Sequence, residues 1–165
     1  MNKARKRSHS DEKDIQPYLD AALRIPTDKK LFLYGRGTWE YIDYEQDYHW
    51  QRYLYASYLL VKKENVFFKY HSTFQVPTTN GRSGGLDYYD DWNIDIGNAL
   101  GPYLNRAGLL LRHFENGIVV VNPSGTKYVD YFLDQYMYSP EGHRLHGKIS
   151  VPPERALILL KTHKK

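Results

Sequence analysis

A chain of 165 residues that is 41% hydrophobic and 25% charged can bury a core, and its length suits one average domain, or a small domain and part of another. The absence of cysteine excludes a disulfide-stapled fold and a thiolate metal site. Lys and Arg outnumber Asp and Glu by 23 to 19, and no apolar run reaches the ~18 residues of a membrane helix, so no membrane partner is expected.

In chain order, residues 1–13 hold Lys3, Arg5, Lys6, Arg7 and Lys13 against Asp11 and Glu12 and read as a disordered basic tail. No apolar segment follows, so no secretory signal peptide is read at this start. Asp14 is placed to cap a short helix with Pro17 in its first turn, with Tyr18, Leu19, Ala22 and Leu23 on one face and Pro26 at its end. Residues 30–34 form a short apolar run that predicts a buried strand, stopping at the loop Gly35-Arg36-Gly37. Asp43, with Gln46 three residues on, predicts the start of a helix that reaches about Lys63. Tyr44, Tyr48, Tyr55 and Leu59 mark one stripe of it, and Trp50, Leu54, Tyr58 and Val61 a second, which implies burial on more than one side. Asn65 breaks the helix, and residues 66–70 predict a second buried strand. Strand, helix, strand in that order fits a parallel pair with a right-handed crossover. Residues 72–103 then read as a long loop rich in Gly, Asn and Asp, of the kind that carries function or covers another surface.

Beyond Gly108 the pattern turns antiparallel. Residues 109–114 and 118–121 flank Glu115-Asn116-Gly117, where Asn-Gly predicts a type I′ hairpin turn. Asn122-Pro123-Ser124-Gly125 and Ser139-Pro140-Glu141-Gly142 read as turns, and further strands are predicted at 127–133, 148–151 and 156–161. With a boundary near 106, the chain divides into the tail 1–13, an α/β part at 14–105, a β domain at 106–161 and a tail at 162–165. Lys161, Lys164 and Lys165 make the far end basic too, which leaves the body slightly acidic. Charge confined to two tails is solubilising, and no nucleic-acid partner is expected.

Two strands with one or two helices cannot close a parallel α/β domain, because parallel strands need both faces covered. The economical reading is the end of a (β/α)8 barrel, in which ~90 residues is room for its last two or three units. The segments that carry a resemblance are Leu31-Phe-Leu-Tyr-Gly, Asn65-Val-Phe-Phe-Lys-Tyr, Gly85-Leu-Asp-Tyr-Tyr-Asp-Asp-Trp, Asp95-Ile-Gly-Asn-Ala-Leu-Gly-Pro-Tyr, Phe114-Glu-Asn-Gly-Ile-Val-Val-Val-Asn-Pro-Ser and Val151-Pro-Pro-Glu-Arg-Ala-Leu-Ile-Leu-Leu. Over residues 15–160 the chain resembles the C-terminal portion of glycoside-hydrolase-like proteins. That resemblance implies an α/β followed by all-β fold: the last βα units of a (β/α)8 (TIM) barrel with a small antiparallel β-sandwich. It implies a carbohydrate partner, no cofactor and a parent family that looks secreted. It also implies catalytic carboxylates upstream, so that the chain is inactive alone and needs the missing part of the barrel or a self-association partner.

On the barrel reading, Tyr34, Arg36, Trp39 and Glu40 follow one strand and Tyr70 and His71 the next, which nominates them as substrate-facing. The acidic cluster Asp87, Asp90, Asp91 and Asp95 is interleaved with Tyr88, Tyr89 and Trp92, setting carboxylates beside rings that could stack on a sugar. Turn chemistry and loop packing account for the same residues without any function. His143 and His146 lack a third ligand and make no metal site. Of the 25 aromatic residues, fifteen fall between Trp39 and Trp92. They support the alternative function, a non-catalytic module that binds carbohydrate or a protein.

Overall fold

The structure, a computed structural model, describes residues 15–36, 44–72 and 88–162. Helix α1 (Ile15–Arg24) buries Leu19 and Ala22, while Tyr18, expected on the same face, points to solvent. Its C-terminal carbonyls would be orphaned, and Lys63 Nζ donates to that of Leu23 at 2.6 Å. Asn65 closes the following turn through Nδ2, which donates to the carbonyls of Pro26 and Lys29.

Strand β1 (Leu31–Arg36), helix α2 (Tyr44–Val61) and strand β2 (Val66–His71) form one crossover, and the two strands pair in parallel from Leu31 opposite Val66 to Arg36 opposite His71. Asp43, the expected cap of α2, and Asp14, that of α1, lie outside the described residues. Both strands are read from sequence as fully buried, yet each buries one face only. Val66, Tyr70 and Gly35 lie under α2, and Phe32, Tyr34 and Phe67 face out.

Among the described residues no second βα unit follows. The short 3-10 turn Asp90–Asn93 leads into β3 (Leu104–Arg106), β4 (Leu109–His113), β5 (Gly117–Asn122), β6 (Val129–Tyr138), β7 (Arg144–Val151) and β8 (Arg155–Leu160). The expected end of a (β/α)8 barrel is therefore overturned, and with it the resemblance to glycoside-hydrolase-like proteins that rested on it. The chain is mostly β, because after β2 the described apolar segments are short runs bounded by turns, as at Leu109–Leu111 and Ile118–Val121, or alternate, as in β7.

The expected β-sandwich is also corrected. The six strands make one curled antiparallel sheet in the order β3-β4-β5-β8-β6-β7. Strand β6 pairs along its length with β7 but meets β8 only where Tyr138 lies opposite Leu160, so the sheet bends there and folds its inner face onto itself. Leu109, Leu111, Ile118, Val120, Leu133, Met137, Val151 and Leu159 fill that inner face. The alternate residues Leu110, Val119, Val121 and Ile158 form the outer face and share a core with Ala56, Leu59 and Leu60 of α2. The helix is thus clamped between the parallel pair and the curled sheet, which explains burial around most of its circumference. Among the described residues no helix is long and apolar enough to cross a membrane.

Two polar devices lock these layers. Arg112 on β4 turns Nη1 to the carbonyls of Leu59, Leu60 and Lys62, which end α2, and Nε to that of Gly101. A cation at a helix C-terminus is favoured by the dipole as well as by the orphan carbonyls. Asn122, fully buried, donates through Nδ2 to the carbonyls of Lys127, Val151 and Pro152 and accepts from Ser124 N–H through Oδ1. The Asn-Pro-Ser turn is therefore a staple between the ends of β5 and β7.

The hairpin expected at Asn116-Gly117 is present, with its turn one residue earlier. Phe114 and Gly117 exchange backbone hydrogen bonds around Glu115-Asn116, and neither central residue has positive φ. The type I′ geometry belongs instead to the β3–β4 turn, where Ala107 and Gly108 have φ of 51° and 88°. Gly117 is required for another reason: a Cβ there would collide with the carbonyl oxygen of Leu159 on the neighbouring strand.

Candidate binding surface

The outer face of the parallel pair is apolar and open. The rings of Phe32 and Phe67, opposite each other in the register, stack at 5.1 Å between centroids with 22° between planes. They are nevertheless 71% and 40% exposed. Next along, Tyr34 is 63% exposed and lies 6.5 Å from the ring of His71, nearly parallel to it. Lys69 stands opposite Tyr34 in the register, and Arg36 opposite His71. Asp28 and Glu64 flank the two strands, and within the strands the formally charged side chains, Arg36 and Lys69, are both basic. Burying a phenylalanine stabilises by about 1.5–3 kcal/mol, a gain that Phe32 largely forgoes and Phe67 forgoes in part.

A groove of about 350 Å³ borders this face, lined by Leu33, Tyr34 and Gly35 of β1, Leu19 of α1, and Leu54 and Tyr58 of α2. Consecutive strand residues point to opposite sides of a sheet. They can line one cavity only where it wraps a strand edge. Phe68 of β2 also lines it, so the groove runs between the helices and the inner side of the sheet and reaches the free edge of β1 at Tyr34.

Behind the ends of β1 and β2 sits a polar cluster. Asp47 of α2 is fully buried and accepts hydrogen bonds from the hydroxyls of Tyr70 at 2.8 Å, Ser72 at 2.7 Å and Tyr89. Burial, and then the bond to Asp47, push the phenols of Tyr70 and Tyr89 well above the usual range. Arg52, one turn along, binds Asp91 through Nε and Nη2, each at 2.8 Å, and also donates to Tyr48 and Glu141. Gln51 is fully buried between them in sequence, and among the described residues neither its amide oxygen nor its nitrogen has a partner.

The site residues predicted from sequence are dispersed by this arrangement. Tyr34, Arg36 and His71 come together on the open face. Trp39, Glu40 and Asp87 lie outside the described residues. Tyr88 is exposed and meets Trp92 edge-on, while Trp92 packs edge-on against Phe68 and is half-buried. Asp90 is exposed at a cleft of about 370 Å³ with Asn93, Asp95 and Asn116. Its neighbour Asp91 is buried and committed to Arg52. Asp47 is surrounded by hydroxyl donors and Asp91 is held by a guanidinium, an arrangement that fixes packing. Among the described residues no three metal-ligating groups gather.

Sequence reasoning missed Phe32, Phe67, Asp47, Gln51 and Arg52. The alternation of Phe32, Tyr34 and Arg36 was a usable signal for the first, since it places them on one side of a strand. Asp47 and Gln51 stand four apart, on one ridge of a helix. The partners of Arg52 and Asp47 are distant in sequence and had no local signal. No protein-family model matches the chain, and no curated protein is significantly similar to it.

Proposed function

We propose that the chain is a non-catalytic protein-binding module whose contact surface is the open face of the β1–β2 pair. The observation that carries this reading is the Phe32–Phe67 stack, left in water on a parallel sheet. Parallel sheets are stable when both faces are covered, and here α2 covers one. An exposed aromatic patch with a charged border has the make-up of an interface centre. Four of the nine tyrosines between Trp39 and Trp92 are committed to packing: Tyr53, Tyr55, Tyr70 and Tyr89 are buried. This favours a protein over a carbohydrate.

The test is site-specific photo-crosslinking in the native host. A benzophenone side chain at position 32 is expected to give a discrete heteromeric adduct. The same group at Phe132, which is 69% exposed on β6, should give none. Equal labelling at both positions, or no adduct at 32, would overturn the reading.

A further inference from the structure

Among the described residues four strand edges are open, and they are treated very differently. Strand β3, at one margin of the curled sheet, is three residues long. Strand β7, at the other, presents Arg144, His146 and Lys148 and is kinked at Gly147, whose φ is 76°. Shortness, charge and kinks are the usual protections of an edge. Strand β2, open on the side away from β1, carries Lys69 and His71. Strand β1 has the least protection: it is six residues long, with four of them apolar or aromatic and charge only at its last residue, Arg36.

Its hydrogen-bonding groups are also accounted for. Leu31 N–H donates to the Asn65 carbonyl on the β2 side. In a parallel strand, alternate residues direct both backbone groups to the same side, so Leu31, Leu33 and Gly35 serve β2. Phe32 and Tyr34 turn theirs to the open edge, where among the described residues no partner meets them. The groove reaches the same edge at Tyr34.

We infer that β1 accepts an added strand from the protein partner: an extended segment with apolar residues at alternate positions and acidic residues near its ends. This rests on the protein-binding reading and names the partner's chemistry. Backbone pairing to Phe32 and Tyr34 supplies the register, and alternate side chains drop into the groove between Leu33, Leu54 and Leu19. The acidic ends answer Lys29, Lys30 and Lys69, which outnumber Asp28 and Glu64, the carboxylates that flank these strands. The same excess of lysine over carboxylate weighs against a second copy as the occupant.

The experiment uses the full chain and a fluorescent eight-residue peptide that alternates valine and threonine between aspartate and glutamate ends. Anisotropy should show saturable binding. N-methylation of every second amide should weaken it at least tenfold in one of the two possible phases and leave it nearly intact in the other. Amide exchange of Phe32 and Tyr34 should slow at least tenfold in the complex. Leu54→Asp, checked for fold by circular dichroism, should abolish binding by charging the groove.

Binding indifferent to N-methylation in either phase, protection appearing on β3 or β7 instead, or no binding at all would overturn strand addition. So would a concentration-dependent homodimer protecting the same two amides. Crosslinking at position 32 reports on the wider reading independently: an adduct there without strand addition leaves a protein-binding face and removes only the added strand.

Discussion

Arg52 holds Asp91 with a paired grip, Nε to Oδ2 and Nη2 to Oδ1, each at 2.8 Å, across 39 residues of sequence. The carboxylate is almost wholly buried and the guanidinium is largely so, and Tyr48 bridges the two. The pair fastens α2 to the 3-10 turn that precedes the curled sheet.

Removing one partner of a buried pair strands the other charge, which costs about 3–5 kcal/mol. Arg52→Met, which strands the almost wholly buried Asp91 carboxylate, is expected to fall in that range by urea denaturation, and Asp91→Ala, which leaves the guanidinium its bond to Glu141, to cost less. Their coupling in a double-mutant cycle should be about 1–3 kcal/mol. A coupling near zero would mean that the grip contributes nothing net.

Glu141 gives the molecule an acid limit. Burial alone would raise its pKa, but hydrogen bonds from Ser139 and Arg52 outweigh that and hold it below the usual carboxylate range. A depressed folded value means that the unfolded chain takes up the proton first. The contribution of Glu141 is therefore present above pH ~4.3, the ordinary glutamate value, and is lost as pH falls through the lower folded one. Glu141→Gln should flatten the pH dependence of Tm in that window; an unchanged slope would contradict the assignment.

An alkaline limit comes from the tyrosines. Burial pushes Tyr55 up to about 12 and raises Tyr53 further, and Tyr70 and Tyr89 are raised by burial and by Asp47. Their protonated phenols contribute stability below the unfolded value of ~10, and this is lost as pH rises through the folded values. Absorbance at 295 nm should show exposed tyrosines titrating near pH 10, and the buried set ionising later, together with loss of the fold. Tyr89→Phe removes a hydrogen bond to a buried carboxylate and should cost about 1.5–3 kcal/mol.

Arg112→Met leaves four backbone carbonyls without their donor and should cost about 2–4 kcal/mol. Amide exchange should quicken first in the last turn of α2. Arg112→Lys, with a single ammonium in place of the planar fork, should recover less than half of the loss.

Gly117→Ala should be far more harmful than Gly108→Ala in spite of backbone angles. Gly108 has positive φ and open space around it, so alanine should cost about 1 kcal/mol. At Gly117 the new methyl meets the backbone of Leu159, and strands β5 and β8 must separate to admit it. A cost of about 3 kcal/mol or more by denaturation is expected.

Local chemistry made several elements legible in the sequence: the two helices, the parallel pair, the β4–β5 hairpin, and the stops at Pro26 and Asn65. Those signals are short in range. What failed was the step from elements to architecture. A single parallel pair was extended to a barrel because its faces need cover, and the sequence does not say that α2 also serves the curled sheet through Leu59 and Leu60. The six strands were divided into a sandwich because nothing local shows that Tyr138 alone joins β6 to β8. The aromatic stretch pointed toward a surface, but which rings face out depends on long-range partners such as Asp47. Phe32 and Phe67 were read as buried because an apolar run looks the same whether or not its second face is covered.

The strand order carries a consequence for synthesis. Strand β8, the last of the six in the chain, lies in the interior of the sheet, between β5 and β6. A ribosome that reads from the N-terminus can complete the β3–β4–β5 meander and the β6–β7 hairpin separately, but it cannot join them. Until Arg155–Leu160 emerges, β5 keeps one flank bare although both of its faces are built for burial. The nascent protein therefore waits as two half-sheets, and its exposure to chaperones and to misassociation is set by how quickly its final strand arrives.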